Sequence, residues 1–336
     1  MQYKQYFLIL FFFITSTIAF AQKQVINTLD SGRKTSIRGL SVVDNNIFWA
    51  SGSNGSVARS TDGGKTITWM IVAGYEKRDF RDIEAFDSNT AIIMAIAEPA
   101  VILKTKDAGK SWYKVFEDTT KGMFLDAMDF DERGYGVVIG DPINSFAFIA
   151  TTRDNGEHWN KYSTEYLLAP GEAFFASSGT NVKIYPTRHN EALFFAFASG
   201  GIVSNYYFLK TNLPLIKGKE STGANSLANW GEGKWIVVGG DFTNDKDTTG
   251  NCALSDNMGL TWNKPTAPPH GYRSCVEFIT EDKLITCGTS GVDISNDSGK
   301  NWMLISTQSF HVCQRAKSGN KVFLAGGNGK IAVLEP

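Results

Sequence analysis

The 336-residue sequence predicts an all-β fold, a closed ring of seven four-stranded blades forming a β-propeller. Three observations predict it. A short phrase recurs five times at a spacing of one blade. Between its copies lie short β-rich runs bounded by Asp, Asn, Gly and Pro. No long stretch carries a 3.6-residue hydrophobic period. A six-bladed ring is the alternative count.

The recurring phrase is Ser/Thr-x-Asp-x-Gly-x-Ser/Thr-Trp, the pattern known as the Asp-box or BNR repeat. Its copies start at Ser60, Thr105, Thr152, Ser255 and Ser295 and contain Asp62, Asp107, Asp154, Asn257 and Asp297. They end on Trp112, Trp159, Trp262 and Trp302; in the first copy Ile67 takes that place and Trp69 follows. The phrase describes a hairpin turn. The Asp is expected to accept backbone N–H groups one and two residues on, as an Asx-turn. The Gly permits a positive φ, and the Trp lays its ring back on the hairpin. Asn257 preserves the turn. Four carboxylates and one amide in the same local frame would be spread around a rim, whereas catalytic or metal-binding groups converge, so the boxes are read as structural.

The box glycines stand at 64, 109, 156, 259 and 299, giving steps of 45, 47, 103 and 40 residues. The long step is two units, and the segment Asn205 to Leu213 falls where the missing box belongs. That makes six units of blade size. A seventh starts at Phe310 and ends at Leu334 after three strands. Gln24 to Thr28 is expected to supply its fourth strand, closing the ring and removing open sheet edges.

The first 21 residues read as a secretory signal peptide: Lys4, an apolar run from Phe7 to Ile14, and Ala19-Phe-Ala21 before Gln22. Residues 22–336 then form one propeller domain, periplasmic or secreted, with no further membrane span. Without Lys4 the balance is 32 basic against 34 acidic residues, which argues against nucleic acid as a partner. Four cysteines are present; Cys275 and Cys287 lie on consecutive strands, where an exported protein can bridge them or leave them as buried thiols. No Cys/His metal spacing and no Gly-x-Gly-x-x-Gly opening a βαβ unit is found, so neither metal nor cofactor is expected.

With these features the chain resembles the photosystem II stability/assembly factor family, the Ycf48/Hcf136-like propellers. Beyond the boxes, the resemblance rests on Phe80-Arg-Asp-Ile83, Gly140-Asp-Pro142, Gly171-Glu-Ala-Phe-Phe-Ala-Ser-Ser-Gly179, Val238-Gly-Gly-Asp241, Gly271-Tyr-Arg-Ser274 and Gly288-Thr-Ser-Gly-Val-Asp293. It spans nearly the whole chain after the leader. The leader ending at Ala21-Gln22 is similar to those of exported Bacteroidetes-type proteins, whose bacteria lack photosystem II. The resemblance therefore implies an assembly or binding role toward an envelope or periplasmic protein, without catalytic residues.

Aligning the units places Arg38, Arg81, Glu172, Asn225 and His311 just before the inner strand of their blades, with Arg273 one residue away and Leu125 breaking the series. Turns between second and third strands add Glu98, Asp141 and Asp241. Together they describe a polar funnel of mixed charge at the channel mouth, suited to a peptide or a small anion. Two alternatives stand beside it. A sialidase-like glycosidase would use Arg38, Arg81 and Arg273 as a carboxylate clamp with Tyr272 adjacent, although the Arg-Ile-Pro phrase of such enzymes is absent. A glycan-binding propeller would stack sugars on Tyr206, Tyr207, Trp230 or Trp235.

Overall fold

The computed structural model describes residues 24–185, 193–231 and 233–335; the proposed leader lies outside them. Seven antiparallel sheets form a ring. Blade 1 is Ile37–Val42, Phe48–Gly52, Ser56–Ser60 and Thr68–Ile71; blade 2 is Phe80–Ala85, Ala91–Ala95, Ala100–Thr105 and Tyr113–Asp118. Blade 3 is Leu125–Phe130, Gly136–Ile143, Phe146–Thr152 and Asn160–Lys161; blade 4 is Val182–Ile184, Phe195–Ala198, Asn205–Tyr207 and Thr211–Asn212. Blade 5 has Thr222–Trp230, Lys234–Asp241 and Cys252–Ser255, with an outer edge reduced to the Leu254–Asn263 bridge. Two-residue strands at Glu172–Ala173 and Gly200–Gly201 extend it inward. Blade 6 is Cys275–Phe278, Leu284–Gly288, Gly291–Ser295 and Met303–Ser306. Blade 7 joins Val312–Arg315, Val322–Ala325 and Ile331–Glu335 to the N-terminal Val25–Asp30.

The ring closes as the unassigned first strand suggested. Val25 pairs with Glu335, Ile26 with Leu334 and Asn27 with Val333. Trp69 donates its Nε1–H to Asp30 Oδ2 at 2.7 Å, fastening the closing strand to blade 1. The apolar core runs through the closure: Ile285, Phe310, Phe323, Ile331, Ile37 and Phe48, from blades 6, 7 and 1, belong to one buried cluster.

An inner strand leaves half its backbone groups unpaired beside the channel, and these need partners. Side chains of the preceding blade supply several. Ser41 Oγ accepts Ala85 N–H at 3.0 Å, Asp82 Oδ2 accepts Met128 N–H at 2.7 Å, Asp129 Oδ2 accepts Ile184 N–H at 2.7 Å and Ser226 Oγ accepts Val276 N–H at 3.0 Å. Neighbouring blades are therefore joined by directed bonds as well as by packing.

The five repeated turns are built alike, and differently from the expected Asx-turn. The Asp oxygen reaches four residues on: Asp107 Oδ1 accepts Ser111 N–H at 2.9 Å. The N–H two residues on belongs to the Gly and is taken by the leading hydroxyl, as in Gly109 N to Thr105 Oγ1 at 3.0 Å, while that hydroxyl donates to Asp107 Oδ1 at 2.9 Å. The Ser111 hydroxyl and N–H together hold the Asp107 carboxyl down to about 2. Asn257 reproduces the arrangement, accepting Thr261 N–H at 3.0 Å. Two consecutive residues have positive φ in every copy, for example Ala108 at 64° and Gly109 at 83°, the geometry of a primed hairpin turn.

The turn glycines serve a second purpose. A Cβ at Gly64, Gly109, Gly156, Gly259 or Gly299 would lie 2.3–2.8 Å from Leu29, Met70, Ile92, Tyr206 or Leu254 respectively. Each of those residues belongs to the preceding blade, so the turns are seated blade into blade. The tryptophans follow the same rule in part. Trp112 meets Trp49 of blade 1 edge-on at 6.4 Å, and Trp262 meets Tyr206 of blade 4 at 5.2 Å. Their rings thus cross to the neighbour instead of folding back on their own hairpin. Blade 4 has no such turn; Phe208 to Lys210 connects its short outer strands, with Lys210 at φ 50°.

All four cysteines are free and buried. Cys275 and Cys287 are register partners as the strand assignment required, and remain thiols; Cys275 Sγ donates to Cys313 O at 3.2 Å. Among the described residues no helix is long and apolar enough to cross a membrane.

Gly259 and Gly122 share a φ near 80°, but an added Cβ meets the Tyr206 ring at Gly259 and nothing within 4 Å at Gly122. Gly122→Ala is expected to cost about 1 kcal/mol of backbone strain. Gly259→Ala is expected to cost about 2–4 kcal/mol, because the buried ring has to shift as well. Equilibrium denaturation of the two variants reads the difference, and equal losses would show that blade seating contributes nothing.

Candidate functional site

The channel mouth is made by a recurring irregularity. Near the start of the inner strand the pairing slips by one residue in blades 1, 2, 3 and 5: between Ile37 and Gly39, Phe80 and Asp82, Leu125 and Ala127, and Ala224 and Ser226. A β-bulge of this kind re-aims the extra side chain. The extra residues are Arg38, Arg81, Asp126 and Asn225. In the other blades the equivalent register position, one residue before Val182, Cys275 and Val312, holds Asn181, Ser274 and His311.

Four of the residues that unit alignment assigned to the mouth, Arg38, Arg81, Asn225 and His311, therefore occupy equivalent positions. Two others differ. In blade 3 the position belongs to Asp126, one residue beyond Leu125, so the series is not broken there. In blade 4 it is Asn181 and not Glu172, because nine residues separate Glu172 from that strand. In blade 6 it is Ser274, with Arg273 one residue away as the alignment had it. Connections of unequal length between blades are the reason that counting along the sequence slipped.

A loop fills the mouth. The segment from Phe174 to Asn181 touches blades on opposite sides of the ring. Arg38 Nη1 donates to Ser177 O at 3.1 Å and Arg81 Nη1 to Ala176 O at 3.3 Å. Ser178 Oγ donates to Ser274 O at 2.6 Å, Thr180 Oγ1 to Ser226 Oγ at 2.7 Å, and Leu227 N to Thr180 O at 2.8 Å. Gly179, at φ 68°, has room for no side chain, since a Cβ would lie 2.3 Å from Asp82 Cγ. These contacts reach blades 1, 2, 5 and 6, so the segment crosses the channel.

The electrostatics are those of crowded charges in a half-dry site. Burial, then the nearby Arg81, lowers the pKa of Arg38; Tyr272 and Asp79 oppose the shift. Arg81 is paired with Asp79 at 3.0 Å. Burial, with Arg38 adding to it, pushes His311 down to about 4, so its ring is neutral at pH 7 and Nδ1–H donates to Ile37 O at 2.9 Å. Burial, then the proximity of Asp141, raises Asp126 well above the usual carboxylate range. Asp141 is also raised by burial, against the Phe174 N–H it accepts at 3.0 Å.

The remaining assigned residues are occupied elsewhere. Glu172 is buried and accepts the Ser199 hydroxyl, Asn205 Nδ2 at 2.9 Å, Tyr207 OH at 2.9 Å and Ala169 N–H at 2.9 Å. Arg273 is wholly buried, ion-paired with Asp293, and donates to Tyr272 O and Ser290 Oγ. Glu98 is exposed at the rim and caps Gly122 N–H at 3.1 Å. Asp241 fixes its own turn through the Thr243 hydroxyl at 2.6 Å, which holds its pKa low. Tyr206, Tyr207 and Trp235 lie in the core.

Two cavities lie away from this mouth. One of about 330 Å³ is walled by Arg33, Trp69, Met70 and Ile71 at the outer side of blade 1. One of about 60 Å³ lies on the far side of the loop, walled by Asp82, Gly179 and Thr180 and by the Glu84–Lys317 and Asp129–Lys183 pairs.

The architecture defines a seven-bladed β-propeller, and solved structures share it. YCF48 bound to D1 peptide is similar over 94% of this chain and 96% of its own, at 16% identity and a TM-score of 0.64. YCF48 from Cyanidioschyzon merolae is similar over 93% and 99%, at 14% identity and 0.62. The WD40 propeller domain of Doa1 is similar over 93% and 97%, at 13% identity and 0.57. Likeness at this identity is likeness of fold. No protein-family model and no curated protein matches the sequence.

His311 gives the mouth a pH signature. A depressed folded-state pKa contributes stability above the ordinary value of 6.5, and that contribution is lost as pH falls through about 4. His311→Gln is expected to flatten the decline in stability between pH 6.5 and 4. Denaturation midpoints across that range test it, and parallel declines in both proteins would contradict it.

Proposed function

We propose that this chain is an exported, non-enzymatic propeller that binds a segment of an envelope or periplasmic protein at its channel mouth and assists that protein's assembly or stability. One observation carries the reading. Arg38 and Arg81 stand side by side at the mouth with their guanidinium groups donating to the carbonyls of a crossing loop. Backbone carbonyls are also what an extended guest peptide presents, and a planar guanidinium binds them and, more strongly, a carboxylate. The fold likeness to YCF48 bound to D1 peptide supports a peptide as guest. The leader-like first 21 residues support export.

The alternatives lose their residues to other duties. A three-arginine clamp lacks its third member, because Arg273 is enclosed with Asp293. A glycan platform lacks exposed rings at Tyr206, Tyr207 and Trp235, and Trp230 is covered by Arg315.

Crosslinking and affinity purification of the tagged mature protein from the envelope of its own host tests the reading. One envelope protein is expected to be enriched and to fall at least about tenfold with Arg38→Ala/Arg81→Ala, a loss of roughly 1.4 kcal/mol or more. Enrichment unaffected by that variant, with the fold intact, would move the interface away from the mouth. Arg273→Ala is unsuited to this test, since stripping the partner from buried Asp293 is expected to cost about 3–5 kcal/mol of stability.

A further inference from the structure

Asp126 is the anomaly of the mouth. It is completely buried, and neither carboxylate oxygen meets a donor at hydrogen-bond geometry. The groups that favour its charge are Arg81 and the N–H groups of Asp141 and Ala176. Two of them are engaged elsewhere: Arg81 pairs with Asp79 and donates to Ala176 O, and Asp141 N–H goes to Phe124 O at 2.9 Å; the Ala176 N–H faces the carboxyl group from outside hydrogen-bond geometry. On the adjacent blade Asn181, at the equivalent position, is also wholly buried with Oδ1 unpartnered, its Nδ2 being donated to Phe175 O at 3.4 Å. Asp79 Oδ1 is a further buried oxygen without a donor. The mouth thus holds an excess of acceptors beneath and beside the Phe174–Asn181 loop. Buried acceptors left without donors are costly, and native proteins keep few of them.

We propose that Asp126, with Asp141 and Asn181, is a subsite for a primary ammonium group, reached when the Phe174–Gly179 part of the loop shifts. Three donors on one small cation suit this set better than a guanidinium, because the acceptors are not a single planar carboxylate face. The loop is held over them by contacts that a guest can replace. Ala176 O and Ser177 O occupy the two arginines, and Phe174 N–H occupies one oxygen of Asp141. The subsite therefore deepens the peptide-binding reading and rests on it: the arginines take an acceptor of the guest, and Asp126 takes its ammonium. The ammonium comes either from a lysine side chain or from a free amino terminus.

The test uses the purified mature chain, 15N-labelled, and four short peptides of otherwise identical sequence. One is acetylated and carries a central lysine; the second carries norleucine in its place; the third has norleucine and a free amino terminus; the fourth is acetylated and carries glutamate. Shifts of Asp126, Ala176 and Asn181 amide signals on titration report occupancy. The lysine peptide, the free-amine peptide or both are expected to bind at least tenfold more tightly than the acetylated norleucine peptide, and which of the two binds identifies the source. Asp126→Asn is expected to abolish that preference while remaining folded, since it removes a buried unpaired carboxylate; its melting temperature should equal or exceed that of the parent. Binding of the glutamate peptide alone, lost on Arg38→Ala/Arg81→Ala, would overturn the ammonium subsite and leave the peptide reading in place. An undiminished lysine preference in Asp126→Asn would also overturn it. No binding of any of the four peptides would count against both.

Discussion

The structure depends on closing a ring. Seven sheets radiating from a channel each need a neighbour on both faces, so an opening anywhere exposes two apolar faces and an unpaired edge. The chain solves this by pairing its first strand, Val25–Asp30, with its last, Ile331–Glu335. Residues 300 positions apart thereby share one sheet, and every blade becomes an interior blade. The repeated turns follow from the same need. A blade seats against its predecessor only if the turn has no side chain where the preceding blade's residues press in, which explains why glycine recurs where Leu29, Met70, Ile92, Tyr206 and Leu254 would meet a Cβ.

Ring closure also determines what the centre can hold. Inner strands bring their first residues to one end of the channel, and bulges add one residue to four of those strands. A bulge is tolerated there because the inner strand has a partner on one side only in blades 1, 2 and 3, and in blade 5 its second partner reaches no further than Gly223. The added residue leaves the ladder and enters the mouth. Charge then accumulates in a small, partly dry space, and the shifts in Arg38, His311 and Asp126 share burial as their largest cause. A site formed this way is made of positions rather than of a motif, so its chemistry can change between propellers without altering the ring.

This explains what the sequence could and could not disclose. The blade count was legible because the turn phrase is local: hydroxyl, Asp, Gly and Trp act within eight residues, and copies can be counted. The closing strand was legible because a three-strand remainder needs a fourth. The internal bonding of the turn was not, since Asx-turn preference describes an isolated Asp, whereas here the leading hydroxyl takes the glycine N–H and leaves the carboxylate to reach Ser111 or its counterparts. The mouth was half legible. Arg38, Arg81, Asn225 and His311 are found by counting back from the inner strand. Asp126, Asn181 and Ser274 are missed by one or more residues because the connections between blades differ in length and a count along the chain does not fix where the inner strand starts. The crossing loop was visible only as a run of small residues, Ala176-Ser-Ser-Gly179, whose size acquires meaning once a channel encloses it.

The crossing loop and the unpartnered acceptors have a common physical logic. A loop that bonds to opposite sides of the ring through its own backbone, at Ala176 and Ser177, needs no particular side chains there, so it fits the mouth without matching its charges. Matching is left incomplete at Asp126 and Asn181, the two positions where the loop offers carbonyls or distant N–H groups in place of donors. A structure selected for stability alone would place a leucine or a hydrogen-bonded asparagine at 126, as cores elsewhere in this chain do with Leu227 and Val237. Retaining a carboxylate there costs folding energy, and under the proposed peptide binding that cost is recovered in a complex that supplies the missing donors. On that proposal the loop and the carboxylate are two halves of one exchange, in which a guest takes over the loop's contacts to the arginines and adds the one that the loop cannot make.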